Sequence, residues 1–438
     1  MKNIEENKVS FITLGCKVNQ YETNGMSQKF KEKGYEIVDH HEKADIYVIN
    51  TCTVTNMSDR KSRQMLRRVR EQNKDAIIIA CGCYVQVAEK DLEKIEEIDL
   101  ILGNNEKKQI VEYVENHMKN NERIEEVEDV MHKREFVDFG DVIYTEKTRA
   151  VIKIQDGCDR FCTYCIIPYA RGRVRSRKPE NIKTEIEKIA KEGIKEVVIT
   201  GIHIASYGKD FKENYKLIDL LEEINKIDGI ERIRLGSIEP LLISEEFIKR
   251  LVKLEKVCHH FHLSLQSGCD ETLKRMNRRY TTAEFTEIVE RLRKYYNDVI
   301  LTTDIIVGFP QESEEEFQKT YEFLKKVKFY KMHVFKYSPR KGTKAEIMEG
   351  QIDGNKKEER SQKLIELSDE NEKKYNESFV GKEVDILFEE EKNGQFRGHT
   401  KNYILGVLEN NEQHENIENR IVKVKCVGTE KDHILVKM

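Results

Sequence analysis

Cys158, Cys162 and Cys165 fall inside eight residues with the spacing C-x3-C-x2-C, in the run Gln155-Asp156-Gly157-Cys158-Asp159-Arg160-Phe161-Cys162-Thr163-Tyr164-Cys165. A closed structural zinc site takes four protein ligands, and no nearby Cys or His supplies a fourth. Iron–sulfur cubanes are also held by thiolates, so three cysteines on a cubane would leave one iron open to a small molecule. The bland readings are a zinc loop or three incidental thiols, which the clustering of three among 10 Cys in 438 residues disfavours.

A second set of cysteines is scattered along the first third of the chain. Strand patterns at 9–14, 46–49 and 76–80 alternate with helix patterns at 20–33 and 56–72, which predicts a doubly wound parallel sheet. Cys16, Cys52 and the pair Cys81/Cys83 each follow one of those strands. The carboxyl ends of parallel strands share one edge, so thiols about thirty residues apart can meet there. Cys83, in the loop after a glycine, is the expected third ligand, and Cys81 a structural neighbour. Singly, each would read as a small buried hydrophobe.

The opening triad needs its own scaffold. Strands expected at 149–155, 195–200, 231–235, 260–265, 299–307 and 331–335, with helices between, predict a partial TIM-like (β/α)6 barrel, with the cysteine loop after its first strand. Glycines and polar residues at the ends of later strands, Gly201, Ser264, Gln266, Asp304 and Gly308, are candidates for holding a cofactor. Ordinary loop packing is the alternative for each. His203, Cys258 and Cys269 have no special role in this reading. Residues 354–376 read as a helical connector, and short strands at 382–388, 394–400, 403–408, 420–427 and 433–437 predict a small all-β barrel.

Net charge is -4, so any polyanion must meet local clusters. One is the helix carrying Arg60, Arg63 and Arg67; another is Arg171, Arg173 and Arg175, which share a face if extended. A solvated face and salt bridging are the respective alternatives. Charged residues are 36% of the chain, mean hydropathy is -0.67, and no apolar run nears the roughly 20 residues of a membrane span. The N-terminus lacks the apolar core of a signal peptide, so a cytoplasmic protein without membrane contact is expected, its cysteines serving metal or redox chemistry and not disulfides. The expected division is 1–120, a linker at 121–144, a central domain at 145–375 and a final domain at 376–438.

The loop from Cys158 to Cys165, followed by Ile166-Ile167-Pro168, resembles the radical S-adenosylmethionine (SAM) superfamily. Thr13-Leu14-Gly15-Cys16-Lys17-Val18-Asn19-Gln20-Tyr21-Glu22-Thr23, Asn50-Thr51-Cys52-Thr53-Val54-Thr55 and Gly82-Cys83-Tyr84-Val85-Gln86 resemble the three cysteine motifs of its methylthiotransferase family, and the last segment is similar to a TRAM RNA-binding domain. The resemblance implies two 4Fe-4S clusters, one on Cys16, Cys52 and Cys83 and one on Cys158, Cys162 and Cys165. It implies one SAM methylating a sulfur at the first cluster, and a second, bound at the other among the strand-end residues above, yielding a 5′-deoxyadenosyl radical. The C–H bond attacked has no useful acidity, so no side chain is expected to act as acid or base. Implied partners are the tRNA anticodon loop, an electron donor such as flavodoxin or ferredoxin, and a sulfur donor of unspecified identity. Among the family's substrates, the contexts of Cys16 and Cys52 and Gly398-His399-Thr400-Lys401-Asn402-Tyr403 look most like the type acting on N6-threonylcarbamoyladenosine. Isopentenyladenosine in tRNA and a ribosomal-protein aspartate are the alternatives, and an iron–sulfur RNA-binding sensor is the non-enzymatic one.

Overall fold

The computed structural model describes residues 7–140, 142, 148–408 and 416–438. The start of the chain, 1–6, on which the expectation of no signal peptide rests, lies outside the described residues. So do 141 and 143–147 around the end of the expected linker, and 409–415 in the expected final domain.

The N-terminal strands are β1 (Lys8–Thr13), β2 (Glu36–Val38), β3 (Ile46–Thr51), β4 (Ile77–Gly82), β5 (Leu100–Leu102) and β6 (Ile124–Glu126). They form one parallel sheet in the order β2-β1-β3-β4-β5-β6, flanked by α1 (Lys17–Glu32), α2 (Asn56–Gln72), α3 (Cys83–Leu92) and α4 (Ile110–Asn120). All of β3 is buried, as a strand covered on both faces requires. Its side chains divide by alternation: Tyr47 and Ile49 pack with Leu66 and Val69 of α2, while Ile46 and Val48 share a core with Tyr21, Met26 and Phe30 of α1. The doubly wound sheet is therefore present, and its strand order reverses between β1 and β3, the crevice where such sheets bind ligands.

One departure lies at its edge. β6 falls inside the stretch expected as a linker and extends the sheet by pairing with β5, and Val130 and Phe139 beyond it are buried. Three residues at an edge, two of them exposed glutamates, leave little hydrophobic pattern to read.

The central strands are β7 (Arg149–Asp156), β8 (Arg175–Ser176), β9 (Glu196–Gly201), β10 (Arg232–Leu235), β11 (His260–Gln266), β12 (Ile300–Val307) and β13 (Lys331–Lys336). β7, β9 and β10 pair in parallel, as do β11, β12 and β13, and parallel bridges Ile233–Val257 and Ile238–Leu263 link the two groups. These six strands are the expected open barrel; β8 is a short antiparallel addition to β7. A helix expected as a connector, spanning Gly354–Glu377, packs on β13 with Leu364 and Leu367 buried, and its Arg360 pairs with Glu312 at 2.7 Å.

The last strands, β14 (Glu383–Lys392), β15 (Gln395–Thr400), β16 (Leu405–Leu408), β17 (Ile421–Glu430) and β18 (His433–Lys437), close into a barrel ordered β14-β15-β16-β18-β17. It docks on the amino ends of the central strands. Arg149 pairs with Glu389 at 2.8 Å, and Arg232 donates to the carbonyls of His399 (2.7 Å) and Asp385 (2.9 Å). The cysteine loop sits at the opposite, carboxyl end. Among the described residues no helix is long and apolar enough to cross a membrane.

Candidate active site between two cysteine triads

Cys16, Cys52 and Cys83 converge at the carboxyl edge of the N-terminal sheet. Cys16 is the residue before α1, Cys52 directly follows β3, and Cys83 opens α3, a helix where a loop was expected. Two glycines make the convergence possible. Gly15 has φ +98°, and a Cβ there would sit 2.7 Å from Cys52 Sγ; Gly82 has φ +102°, and a Cβ there would come within 2.6 Å of the Thr51 carbonyl. Asn19 Nδ2 donates to the carbonyls of Leu14 (2.8 Å) and Thr51 (2.9 Å), tying the first two strand ends together. Burial raises the Cys52 thiol, and crowding by surrounding protein raises that of Cys16, which is itself exposed at the sheet edge. Cys81, one residue from the end of β4, turns into the core instead. Its Sγ donates to the Ile49 carbonyl at 3.7 Å and burial pushes its thiol to about 12.

The second triad lies on the loop between β7 and a short helix, α5 (Ile167–Arg171). Gly157 has φ +70° and passes so close to the Arg173 carbonyl that a Cβ would lie 1.8 Å from it. The loop is pinned along its length: Cys158 N–H donates to Gly172 O (3.0 Å), Thr163 N–H to Met276 O (3.1 Å), and Arg278 Nη1 reaches Cys162 Sγ (3.5 Å). Arg278 is itself fixed by Glu239 at 2.9 Å, with His203 3.7 Å beyond, so His203 ends a buried polar chain to the cysteine loop. Burial, with neighbouring sulfurs adding to it, lifts Cys158 to about 11 and Cys165 to about 12.

Beside this loop opens a cavity of about 310 Å³ whose wall includes Tyr164, Cys165, Gln266, Asp304, Phe335 and Tyr337. Val54 and Thr55, two and three residues after Cys52, complete it, so the chamber lies between the two triads. Of the five residues expected at a cofactor, Gln266 and Asp304 line it. Gly201 packs on Gln155, the Ser264 carbonyl accepts from Arg278 and Tyr280, and Gly308 N–H binds Glu312 at 2.6 Å with Lys357 crowding its Cα. Phe335 and Tyr337, on and just after β13, carry no motif that marks them in the sequence.

The expected arginine track is corrected. Arg171 and Arg175 are fully buried, spent on carboxylates and on the N-terminal sheet, and only Arg173 of the three is half-exposed, over Phe161 and 3.3 Å from Asp159. The alternation assumed an extended chain, but α5 ends at Arg171 and Gly172 turns with φ +72°. Arg171 binds Glu22 through its guanidinium, donates from Nη2 to Asn19 Oδ1 at 2.6 Å and from Nε to Cys83 Sγ at 3.0 Å. Glu22 also takes Lys107 and Lys153, each at 2.6 Å, and Lys153 reaches Asp156 at 2.6 Å. Burial alone would raise both carboxyls; the surrounding cations outweigh it, holding Glu22 well below the usual range and Asp156 at about 2. On α2, Arg60 and Arg67 are exposed with Lys61 and Arg68, whereas Arg63 leans on the Tyr84 hydroxyl at 2.7 Å.

Both triads suit an iron–sulfur group by their donors: three thiols each, with an arginine N–H on one sulfur. Neither gathers its sulfurs within 4.8 Å of one another; among the described residues only exposed Asp39, His40 and His41 do so. One tetrahedral ion with bonds of about 2.3 Å would draw sulfurs to about 3.8 Å, while a cubane spreads them over separate irons.

Residues 152–324 match the family model described as the radical SAM superfamily, and residues 8–103 match that described as uncharacterized protein family UPF0004. A Bacillus subtilis (strain 168) protein named threonylcarbamoyladenosine tRNA methylthiotransferase MtaB is 43% identical over 425 residues, 96% of this chain and 93% of its own. An Aquifex aeolicus protein of the same name is 43% identical over 91% of this chain and 95% of its own. A Natranaerobius thermophilus tRNA-2-methylthio-N(6)-dimethylallyladenosine synthase is 37% identical over 86% and 85%. Among solved structures, the radical SAM methyltransferase TsrM from Kitasatospora setae aligns with TM-score 0.57 over 78% of this chain and 77% of that one at 14% identity, a likeness of fold. With a radical SAM barrel, a second cysteine triad on the preceding sheet and relatives of this identity along nearly its whole length, the chain belongs to the radical SAM methylthiotransferase family.

Proposed function

We propose that the protein transfers a methylthio group to the base of N6-threonylcarbamoyladenosine next to the tRNA anticodon. The observation that carries this substrate is the naming of relatives 43% identical over 96% and 91% of the chain, against 37% for the dimethylallyladenosine synthase. Three units divide the work: 1–120 extended by β6, 145–375, and 376–438.

Cys16, Cys52 and Cys83 hold one 4Fe-4S cluster, and Cys158, Cys162 and Cys165 hold the other beside SAM. When bound, the clusters and two molecules of SAM supply the methylthio group and the radical that takes hydrogen from the base. The chain's own part is placement. Gln266 and Asp304 present polar groups to SAM, and Tyr164, Ile306, Phe335 and Tyr337 keep water from the chamber. Arg60 and Arg67 remain available to phosphates; Arg63 is partly engaged by Tyr84 and Arg173 by Asp159. A flavodoxin or ferredoxin supplies electrons.

Two measurements test this. Cys83→Ala is expected to remove about half of the iron from the anaerobically reconstituted protein, one cluster of two, while Cys81→Ala leaves it unchanged. The reverse result makes Cys81 the ligand. Mass spectrometry of tRNA nucleosides from a strain lacking the gene is expected to show N6-threonylcarbamoyladenosine without its 2-methylthio form, and 2-methylthio-dimethylallyladenosine unaffected. Persistence of the first modification would refute the substrate.

A further inference from the structure

Below the chamber, the interior of the central barrel opens into a second cavity of about 530 Å³. Asp304 lines both, so the two spaces adjoin. The final barrel forms the floor. Tyr403, held at φ +74°, projects into the cavity, stacked on His399 (4.6 Å), beside His260 (4.9 Å) and under the Arg234 guanidinium (4.5 Å). Such a conformation is rare for an aromatic residue and persists only where surrounding contacts hold it.

The charges of this lining are mostly matched within the protein. Arg234 forks onto Glu196 at 2.7 and 3.0 Å, Asp304 takes His262 at 3.0 Å, and Lys331 takes Glu372 at 2.9 Å. Asp432 lies beside His433 at 3.3 Å. Lys17 is the exception. It reaches the cavity from the start of α1, directly after Cys16, with its side chain accessible there, and its ammonium has no hydrogen-bond or ion-pair partner among the described residues. Nearby, His260 is nearly buried, bonded through Nε2 to Thr302 at 3.0 Å, and its Nδ1 has no partner.

We infer that Lys17 is the counter-ion for a carboxylate carried by the substrate base, held in this cavity with His260 and Tyr403 as its walls. The inference rests on the threonylcarbamoyladenosine reading and deepens it. A threonyl substituent brings one carboxylate and one hydroxyl, the first the complement of the free Lys17 ammonium and the second suited to a wall of polar side chains. A dimethylallyl group brings neither and would leave these polar groups unpaired, a mismatch that sites built for hydrogen bonding reject strongly. The position suits the chemistry, since a group held by Lys17 lies next to Cys16 of one triad and opens, past Asp304, toward Cys165 of the other.

The test uses the full-length, cluster-loaded protein and anticodon stem-loop RNAs that differ only in carrying N6-threonylcarbamoyladenosine, dimethylallyladenosine or plain adenosine. Affinities are read by fluorescence anisotropy. The unaltered protein is expected to prefer the threonylcarbamoyl loop, and Lys17→Met to lose about tenfold to a hundredfold of that preference, the size of a lost charge-assisted hydrogen bond. Lys17→Gln, which keeps an N–H donor but drops the charge and shortens the side chain, should lose most of it, and Lys17→Arg, which keeps the charge, should retain most. The plain loop is the internal control for folding. A preference intact in both Lys17→Met and Lys17→Gln overturns the inference alone, as does equal weakening of all three loops, which would place Lys17 on a phosphate. No preference in the unaltered protein overturns the substrate reading itself, and the inference with it.

Discussion

Glu22→Ala is expected to cost the protein about 3–5 kcal/mol, the penalty for removing one partner from a buried ionic set. Glu22 is the anion shared by Lys107 from its own sheet domain and by Lys153 and Arg171 from the barrel, and all four side chains are buried. Without it three cations face one another, with Asp156 left to answer two of them. The readout is the thermal unfolding midpoint together with protease sensitivity between the two domains; an unchanged midpoint would show that the network adds nothing to docking. The same loss frees Arg171, whose Nε donates to Cys83 Sγ, so iron retention at the first triad should fall as well. Acid should act in the same sense. Both carboxyls titrate below their unfolded values, so their stabilisation is complete above about pH 4.5 and is lost as pH falls below it, for Asp156 toward about 2.

Much of this was legible in the chain because the relevant rules are local or topological. Cys158, Cys162 and Cys165 announce themselves by spacing. Cys16, Cys52 and Cys83 are spread over the first third of the chain, yet parallel β1, β3 and β4 bring their following residues to one edge whatever the intervening helices contain. The failures share a different cause. Arg171 and Arg175 look like a polyanion track until their partners are known, and the decisive one, Glu22, is 149 residues away on another domain. No periodicity encodes which surface of one domain meets which of the next. Lys17 shows the same blindness in reverse: beside Cys16 it reads as one more surface lysine, and the C-terminal barrel, whose His399, Tyr403, Leu405 and Asp432 close the far end of the lumen, makes its surroundings a cavity. Gly308 and Ser264 sit at strand ends but outside the wall of the chamber between the triads: Lys357 packs on Gly308, and the Ser264 backbone carbonyl accepts from Arg278.

Cys162→Ala and Cys52→Ala are expected to fail at different steps, and the difference is the strongest check on two triads with separate work. Cys162 is half-exposed on a loop fixed mainly by backbone hydrogen bonds, Cys158 N–H to Gly172 and Thr163 N–H to Met276, so its loss should leave the fold standing. What it removes is one of three thiolates beside the chamber proposed to hold SAM, and an open-iron cubane on two protein ligands is not expected to persist. No detectable 5′-deoxyadenosine should then form from SAM and dithionite. Cys52 stands across the chamber, its side chain against Gly15 and its neighbours Val54 and Thr55 in the wall. Its replacement is expected to keep 5′-deoxyadenosine formation and the iron of the Cys158 loop while abolishing methylthio transfer to tRNA. The two variants have similar chemistry and opposite consequences, so a general loss of stability cannot imitate the pattern. If Cys52→Ala also stops SAM cleavage while its remaining iron shows an intact cluster at the other triad, the two sites are not independent, and the chamber between them must be treated as one centre.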